Sequence, residues 1–198
     1  MPRRALACSW PASYLIGVRA GRLHFWSGLV LAPLVVVLAL SGTALVFAPE
    51  IDAATRPRGA LPQRSLVVPI RSLHASFHAG PVGVVVVGLL GLALAAEGVT
   101  GLWLYRRSRA PHRAAQRVHR VVGAVSLAVV AVIGLTGTVL AFAAVGTDPH
   151  ASGAYDLVRR LHAGDFWGWP SRIVYAAAGI VLLVLSINGY VLVARQGR

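Results

Sequence analysis

Four of the seven histidines in this chain stand where the sequence repeats itself. His24 in "RLHFWSG" and His119 in "RVHRVVG" each open a long apolar run, while His74 in "SLHASFHAGPVG" and His162 in "RLHAGDFWGWP" each precede another. Imidazole is the commonest metal-ligating side chain at neutral pH. Two imidazoles on facing helices, one on either side of the iron, are what a six-coordinate b-type haem requires, with no covalent attachment. Such a use demands elements that bring the histidines together in pairs, so the elements decide whether the chemistry is open to this chain.

Those elements are apolar helices. Of 198 residues, 57% are hydrophobic and 13% charged, against roughly one quarter charged in a soluble domain. Four runs, Leu23–Ala48, Val82–Tyr105, Val121–Val145 and Ile173–Ala194, each reach the ~20 residues that cross a hydrocarbon core. The first is too long for the ~7–15-residue core of a cleavable signal and reads as a retained helix. Cys8 in "LACS" reads as an incidental thiol, and a single cysteine excludes an intramolecular disulfide, a C-x-x-C-H haem attachment and a cysteine-bound iron–sulfur cluster.

All 19 basic residues are arginine. Twelve (Arg3, Arg4, Arg19, Arg22, Arg106, Arg107, Arg109, Arg113, Arg117, Arg120, Arg195, Arg198) flank one side of the spans and seven (Arg56, Arg58, Arg64, Arg71, Arg159, Arg160, Arg172) the other, which also holds five of the six acids. The positive-inside rule then places both termini and the middle loop in the cytoplasm. The +13 charge is accordingly a topology signal. It does not form a separate basic domain of the kind that binds nucleic acid.

The chain is a two-helix hairpin written twice. An offset of 95 pairs His24 with His119, Gly42 with Gly137 and Thr43 with Thr138; an offset of 88 pairs Arg71 with Arg159, His74 with His162, Gly91 with Gly179 and Gly101 with Gly189. Both copies start on the same side, so they are parallel repeats about an axis along the membrane normal. His24 and His119 then share the cytoplasmic edge, and His74 and His162 the outer edge. Ser41-Gly42, Thr100-Gly101, Thr136-Gly137 and Asn188-Gly189 recur late in each span. Gly42 is ~27 Å beyond His24 at helical rise, which puts Gly42 and Gly137 level with His74 and His162, and Gly101 and Gly189 level with His24 and His119. Glycine lets a backbone approach a flat macrocycle, so these four are candidate haem walls. Arg22, Arg120, Arg71 and Arg159 are candidate propionate contacts.

A wholly helical His74-to-Gly101 segment would be ~40 Å long. A break is therefore expected near Gly80-Pro81 and Trp169-Pro170, with the outer histidines at or above the interface. Each histidine has an alternative as an interfacial side chain with an apolar body and a wet tip; recurrence at repeat-related positions favours ligation. A bare metal ion is disfavoured, since two histidines per face without paired acids are a poor ligand set. His78 reads as an interfacial residue or substitute ligand, and His112 and His150 as loop residues. Glu97 is the one acid within a span, its repeat mate being Leu185. It reads either as a functional group, for proton uptake or contact with a cofactor edge, or as a snorkelling partner for an arginine. Trp103, Tyr105, Trp167 and Trp169 fit interfacial aromatic belts.

"RLHFWSGLVLAPLVVVLALSGTALVF", "SLHASFHAGPVG" leading to "VTGLWLYRR", "RVHRVVGAVSLAVVAVIGLTGTVLAF" and "RLHAGDFWGWPSRIV" leading to "INGYVLVARQGR" resemble the PepSY-associated transmembrane helix family over residues 20–196. The resemblance implies a bacterial inner-membrane protein similar to iron-regulated membrane proteins and ferric-siderophore reductases, with electrons delivered through b-type haem to an external ferric chelate. The four histidines match the family's recurrent "LH" or "VH" helix starts. The segment Pro49–Arg71 is too short for a PepSY domain; its proline and arginine content reads as a loop. No flavin or nicotinamide fingerprint is present, so electrons must come from quinol or a partner reductase.

The expectation is an all-α, polytopic membrane four-helix bundle built from two parallel two-helix repeats (20–107 and 115–196) within one membrane domain, 1–198. It would lie in the inner membrane, bind one or two haem b groups and transfer electrons across the bilayer, with ferric siderophore as a candidate acceptor. The alternative reading is a non-catalytic membrane accessory or assembly module with interfacial histidines. A transporter lacks the unwound, charged span centre such folds use. Small-residue faces also suit a homodimer.

Overall fold

The computed structural model describes residues 12–56, 65–107, 114–146 and 153–194. Cys8, His112, His150 and the topology arginines Arg3, Arg4, Arg58, Arg64, Arg109, Arg113, Arg195 and Arg198 lie outside them. The described residues form helices α1 (Ala12–Val46), α2 (Ala48–Thr55), α3 (Val67–Ser76), α4 (Gly80–Arg107), α5 (Ala114–Gly146), α6 (Gly153–Ala163) and α7 (Trp169–Ala194), and no strand. Among the described residues, four segments are long and apolar enough to cross a membrane: Arg19–Val46, Gly80–Arg107, Ala114–Val145 and Trp169–Leu192. This is an all-α, multi-pass membrane protein.

Its burial pattern inverts that of a soluble bundle. Val30, Val82, Val99 and Val125 are each more than two-thirds exposed, whereas much of the buried set is alanine: Ala32, Ala39, Ala141, Ala176 and Ala178. Lipid tails are as apolar as valine, so nothing is gained by hiding large side chains, and small residues let backbones approach. The helices close into a ring in which α1 packs chiefly on α7 and α4 on α5, with α1·α4 and α5·α7 completing it. Two seams repeat each other. A Cβ on Gly179 would strike Thr43 Oγ1, and one on Gly91 would lie 2.5 Å from both Gly134 O and Thr138 Oγ1. In this ring α1 and α5 are diagonal partners. Their repeat-related Val35 and Val130 belong to a buried cluster with Ala39 and Leu182.

The short helices explain how the second pair of histidines is carried. Residues 49–71, expected as a loop, instead contain α2 and the start of α3. Their prolines occupy first turns, Pro49 at the opening of α2 and Pro69 third in α3. There the missing N–H has no helical partner to lose, and proline initiates as readily as it breaks. The expected break before the second span is present: α3 ends in Phe77 with left-handed φ of 50°, followed by His78 at 60° and Gly80 at 57°. A Cβ on Gly83 would collide with the Ser76 carbonyl, so only glycine lets α3 rest on α4. In the other copy Ser171 Oγ instead donates to the Gly164 carbonyl at 2.7 Å, bridging the same joint.

Candidate functional site

His24 lies on α1 and His119 on α5, diagonal across the ring, and their ring centroids are 6.4 Å apart with planes at 75°. His74 on α3 and His162 on α6 approach to 6.0 Å with planes at 40°. Each pair thus brings together one imidazole from either half of the chain. Among the described residues, no three or more His, Cys, Asp or Glu side chains cluster as a site for a bare metal ion. The donor set is two imidazoles per end, which could hold a cofactor that brings its own metal.

Hydrogen bonds fix which nitrogen is free. His74 Nδ1 lies 3.1 Å from the Leu38 carbonyl and 3.1 Å from Ser41 Oγ, whose own proton goes to the Val37 carbonyl at 2.7 Å. In the other copy, His162 Nδ1 lies 3.1 Å from the Ile133 carbonyl and 3.2 Å from Thr136 Oγ1, which donates to Val132 O at 2.6 Å. Carbonyls only accept, so Nδ1 carries the proton in both rings and Nε2 keeps the lone pair. Metal-ligating histidines are oriented in this way. Burial pushes His74 down to about 4, reinforced by the neighbouring His162, and burial also lowers His162. Both rings are neutral at pH 7, as ligation requires.

His24 has a different partner. Its Nδ1 is 2.6 Å from Glu97 Oε2 and 3.0 Å from Thr100 Oγ1. The Ser27 hydroxyl sits between that carboxylate and the Leu23 carbonyl. Glu97 thus contacts the histidine and serine of α1. His119 Nδ1, by contrast, is buried with no hydrogen-bond partner among the described residues. A cavity of about 530 Å³ opens beside this pair, lined by His24, His119, Glu97, Gly101, Arg120 and Gly189. That is within the ~300–1,000 Å³ usual for ligand pockets.

The glycines chosen as macrocycle walls mostly touch imidazole. A Cβ on Gly42 would lie 2.9 Å from His74 Cε1, one on Gly137 2.9 Å from His162 Cε1, and one on Gly101 3.3 Å from His24 Cε1; at Gly189 none of the described residues lies within 4 Å. Of the arginines, Arg120 lines the cavity, donates to the Tyr105 carbonyl at 2.9 Å and stacks on that ring at 4.9 Å. Arg159 is paired with Asp156 at 2.8 Å, and Arg22 and Arg71 are exposed. His78 is exposed and bonds locally, its Nδ1 2.9 Å from Ser72 Oγ.

Sequence reasoning gave the polar-Gly pairs a role through their glycines and overlooked the polar members. Ser41, Thr136 and Thr100 are the residues that touch imidazole, and their recurrence was the available signal. Asn188, the fourth, instead donates to the Ala115 carbonyl at 2.9 Å.

A family model described as the PepSY-associated TM region matches residues 21–66, 59–156 and 147–196. No curated protein and no solved structure matches the chain.

Proposed function

Because the chain belongs to the PepSY-associated TM region family, we propose that its membrane bundle moves electrons across the bilayer through b-type haem, held by His24 with His119 and by His74 with His162. One observation carries this reading: two imidazole pairs, 6.4 and 6.0 Å apart at opposite ends of the bundle, with three of the four rings tied through Nδ1. Haem b at each end would supply a one-electron carrier. The protein's own residues do the rest. Leu38 and Ile133 orient the rings of the second pair, the glycines admit them, and an apolar layer around Val35 and Val130 lies between the two pairs.

In this reading the arginine-rich end, with both termini, faces the cytoplasm of a bacterial inner membrane. There, quinol or a partner reductase delivers electrons. The opposite end faces outward, and Arg71, Arg159 and Arg160, exposed there, would attract an anionic ferric chelate such as a siderophore.

The purified protein should show a reduced-minus-oxidised b-type spectrum and bind two haems. His24→Ala or His119→Ala should remove one and leave the other, and His74→Ala or His162→Ala should do the converse. Colourless protein after haem supplementation would overturn the proposal.

A further inference from the structure

The two copies of the repeat are closely matched at the second pair of histidines and mismatched at the first. His74 and His162 each meet a neutral main-chain carbonyl, at 3.1 Å in both cases. At the first pair one ring, His24, meets a carboxylate, while the other, His119, has its Nδ1 buried and bare. The repeat shows how this arises. Glu97 and Leu185 are equivalent positions, and each lies against an equivalent glycine: Glu97 Oε2 3.8 Å from a Cβ built on Gly28, and Leu185 Cδ2 4.0 Å from one built on Gly123. One copy therefore aims a carboxylate past its glycine at the histidine, and the other aims a methyl group.

Glu97 is well held for this work. Its side chain is only 19% exposed, the Ser27 hydroxyl binds the same carboxylate, and Thr100 Oγ1, whose proton goes to the Ala96 carbonyl at 3.0 Å, offers His24 Nδ1 a second acceptor. A carboxylate accepting from Nδ1–H makes the imidazole a stronger donor at Nε2 than a carbonyl does. Stronger donation from His24 to a bound haem would favour its oxidised form.

We infer that Glu97 is a positioning residue which, through His24, sets the haem of the first pair at a lower reduction potential than that of the second. The inference rests on the haem reading above. Given it, electrons entering at the arginine-rich end would run energetically downhill to the other, with Glu97 standing where the second copy has Leu185.

Potentiometric titration of the full-length, haem-loaded protein, followed at the b-type absorption band, tests this. Wild type should show two one-electron waves, and His74→Ala should retain the lower one. Glu97→Gln should raise that lower wave by about tenfold in the reduction equilibrium, ~59 mV for one electron, and leave the upper wave in place. The swap Glu97→Leu with Leu185→Glu, which moves the carboxylate to the bare Nδ1 of His119, should restore a low wave. If Glu97→Gln loses the first haem and the swap regains it, the regained wave must lie below that of the second site, and one above it would overturn the inference. Haem retained in Glu97→Gln with its wave unmoved, a first pair that titrates above the second in wild type, or a swap that restores nothing would each overturn the inference while leaving the haem reading intact. Wild-type protein without haem would overturn both.

Discussion

A single methyl group at Gly42 should weaken the second site and spare the first. The Cβ of alanine there would stand 2.9 Å from His74 Cε1, about 0.6 Å inside the ~3.5 Å at which carbon atoms begin to repel. The α1 backbone is locked in a membrane span, so the imidazole must move. Its bond from Nδ1 to the Leu38 carbonyl is already 3.1 Å long, and a displacement of that size stretches it to where it no longer counts as a hydrogen bond, beyond ~3.5 Å. Losing it costs about 1 kcal/mol, and disturbed orienting partners typically cost ~10–100-fold in metal affinity. Glycine to alanine within a helix otherwise favours the fold by ~0.5–1 kcal/mol, so the bundle should survive. Haem titration of the detergent-purified variant should therefore show the second site weakened at least tenfold and the first unchanged. Gly137→Ala should behave alike through His162, also at 2.9 Å, whereas Gly101→Ala, at 3.3 Å from His24, should have a smaller effect on the first site, and Gly153→Ala, with none of the described residues within 4 Å, none. Wild-type affinity at both sites in Gly42→Ala, or equal losses across the four variants, would refute the reasoning.

Three further outcomes follow from the structure. Gly91→Ala should lower the thermal midpoint in detergent by several degrees, because its Cβ would meet the Gly134 carbonyl of α5 at 2.5 Å; Gly98→Ala, facing the flexible tip of Leu127 at 2.6 Å, should be tolerated. At the rim, Arg172 donates to the Val46 carbonyl at 2.9 and 2.6 Å and to Glu50 at 2.9 and 2.6 Å, and this hydrogen bonding holds the Glu50 carboxyl below its usual range. A depressed carboxyl stabilises above its unfolded value and loses that contribution as pH falls through its folded one. Thermal melts from pH 7 downward should thus show an acid loss below about pH 4 that Glu50→Gln lacks. For His74, lowered to about 4 by burial, the unfolded chain binds the proton first, so the stability of haem-free protein should decline from about pH 6.5 as pH falls; an NMR titration of that imidazole with an ordinary midpoint would contradict this.

How much of the site was legible follows from what kind of information each feature carries. The histidine positions could be read because the duplication copied them at a constant offset, and chance does not place polar residues in register within apolar runs. The joint before each even-numbered span was legible from Gly80-Pro81 and Trp169-Pro170, since a continuous helix from His74 would overrun the membrane. The short helices were not: Pro49 and Pro69 look alike in a loop and in a first turn, and the choice depends on what the following residues pack against. The role of Ser41, Thr136 and Thr100 was likewise hidden, because a hydroxyl in a span bonds its own helix wherever it faces. Only the neighbouring helix shows that its oxygen also meets an imidazole.

The sequence by itself determined the apolar solvent, the candidate spans, the repeat and which end of its span each histidine stands at. These depend on local composition and on the fixed rise of a helix, which a single segment carries alone. Only the tertiary structure decided that α1 and α5 stand diagonally, so that His24 faces His119 across 6.4 Å. It also decided that Gly42 makes room for an imidazole and that Glu97 reaches His24. Those are relations between helices, set by the rotation of each about its axis as small residues close the seams, and no offset along the chain encodes them.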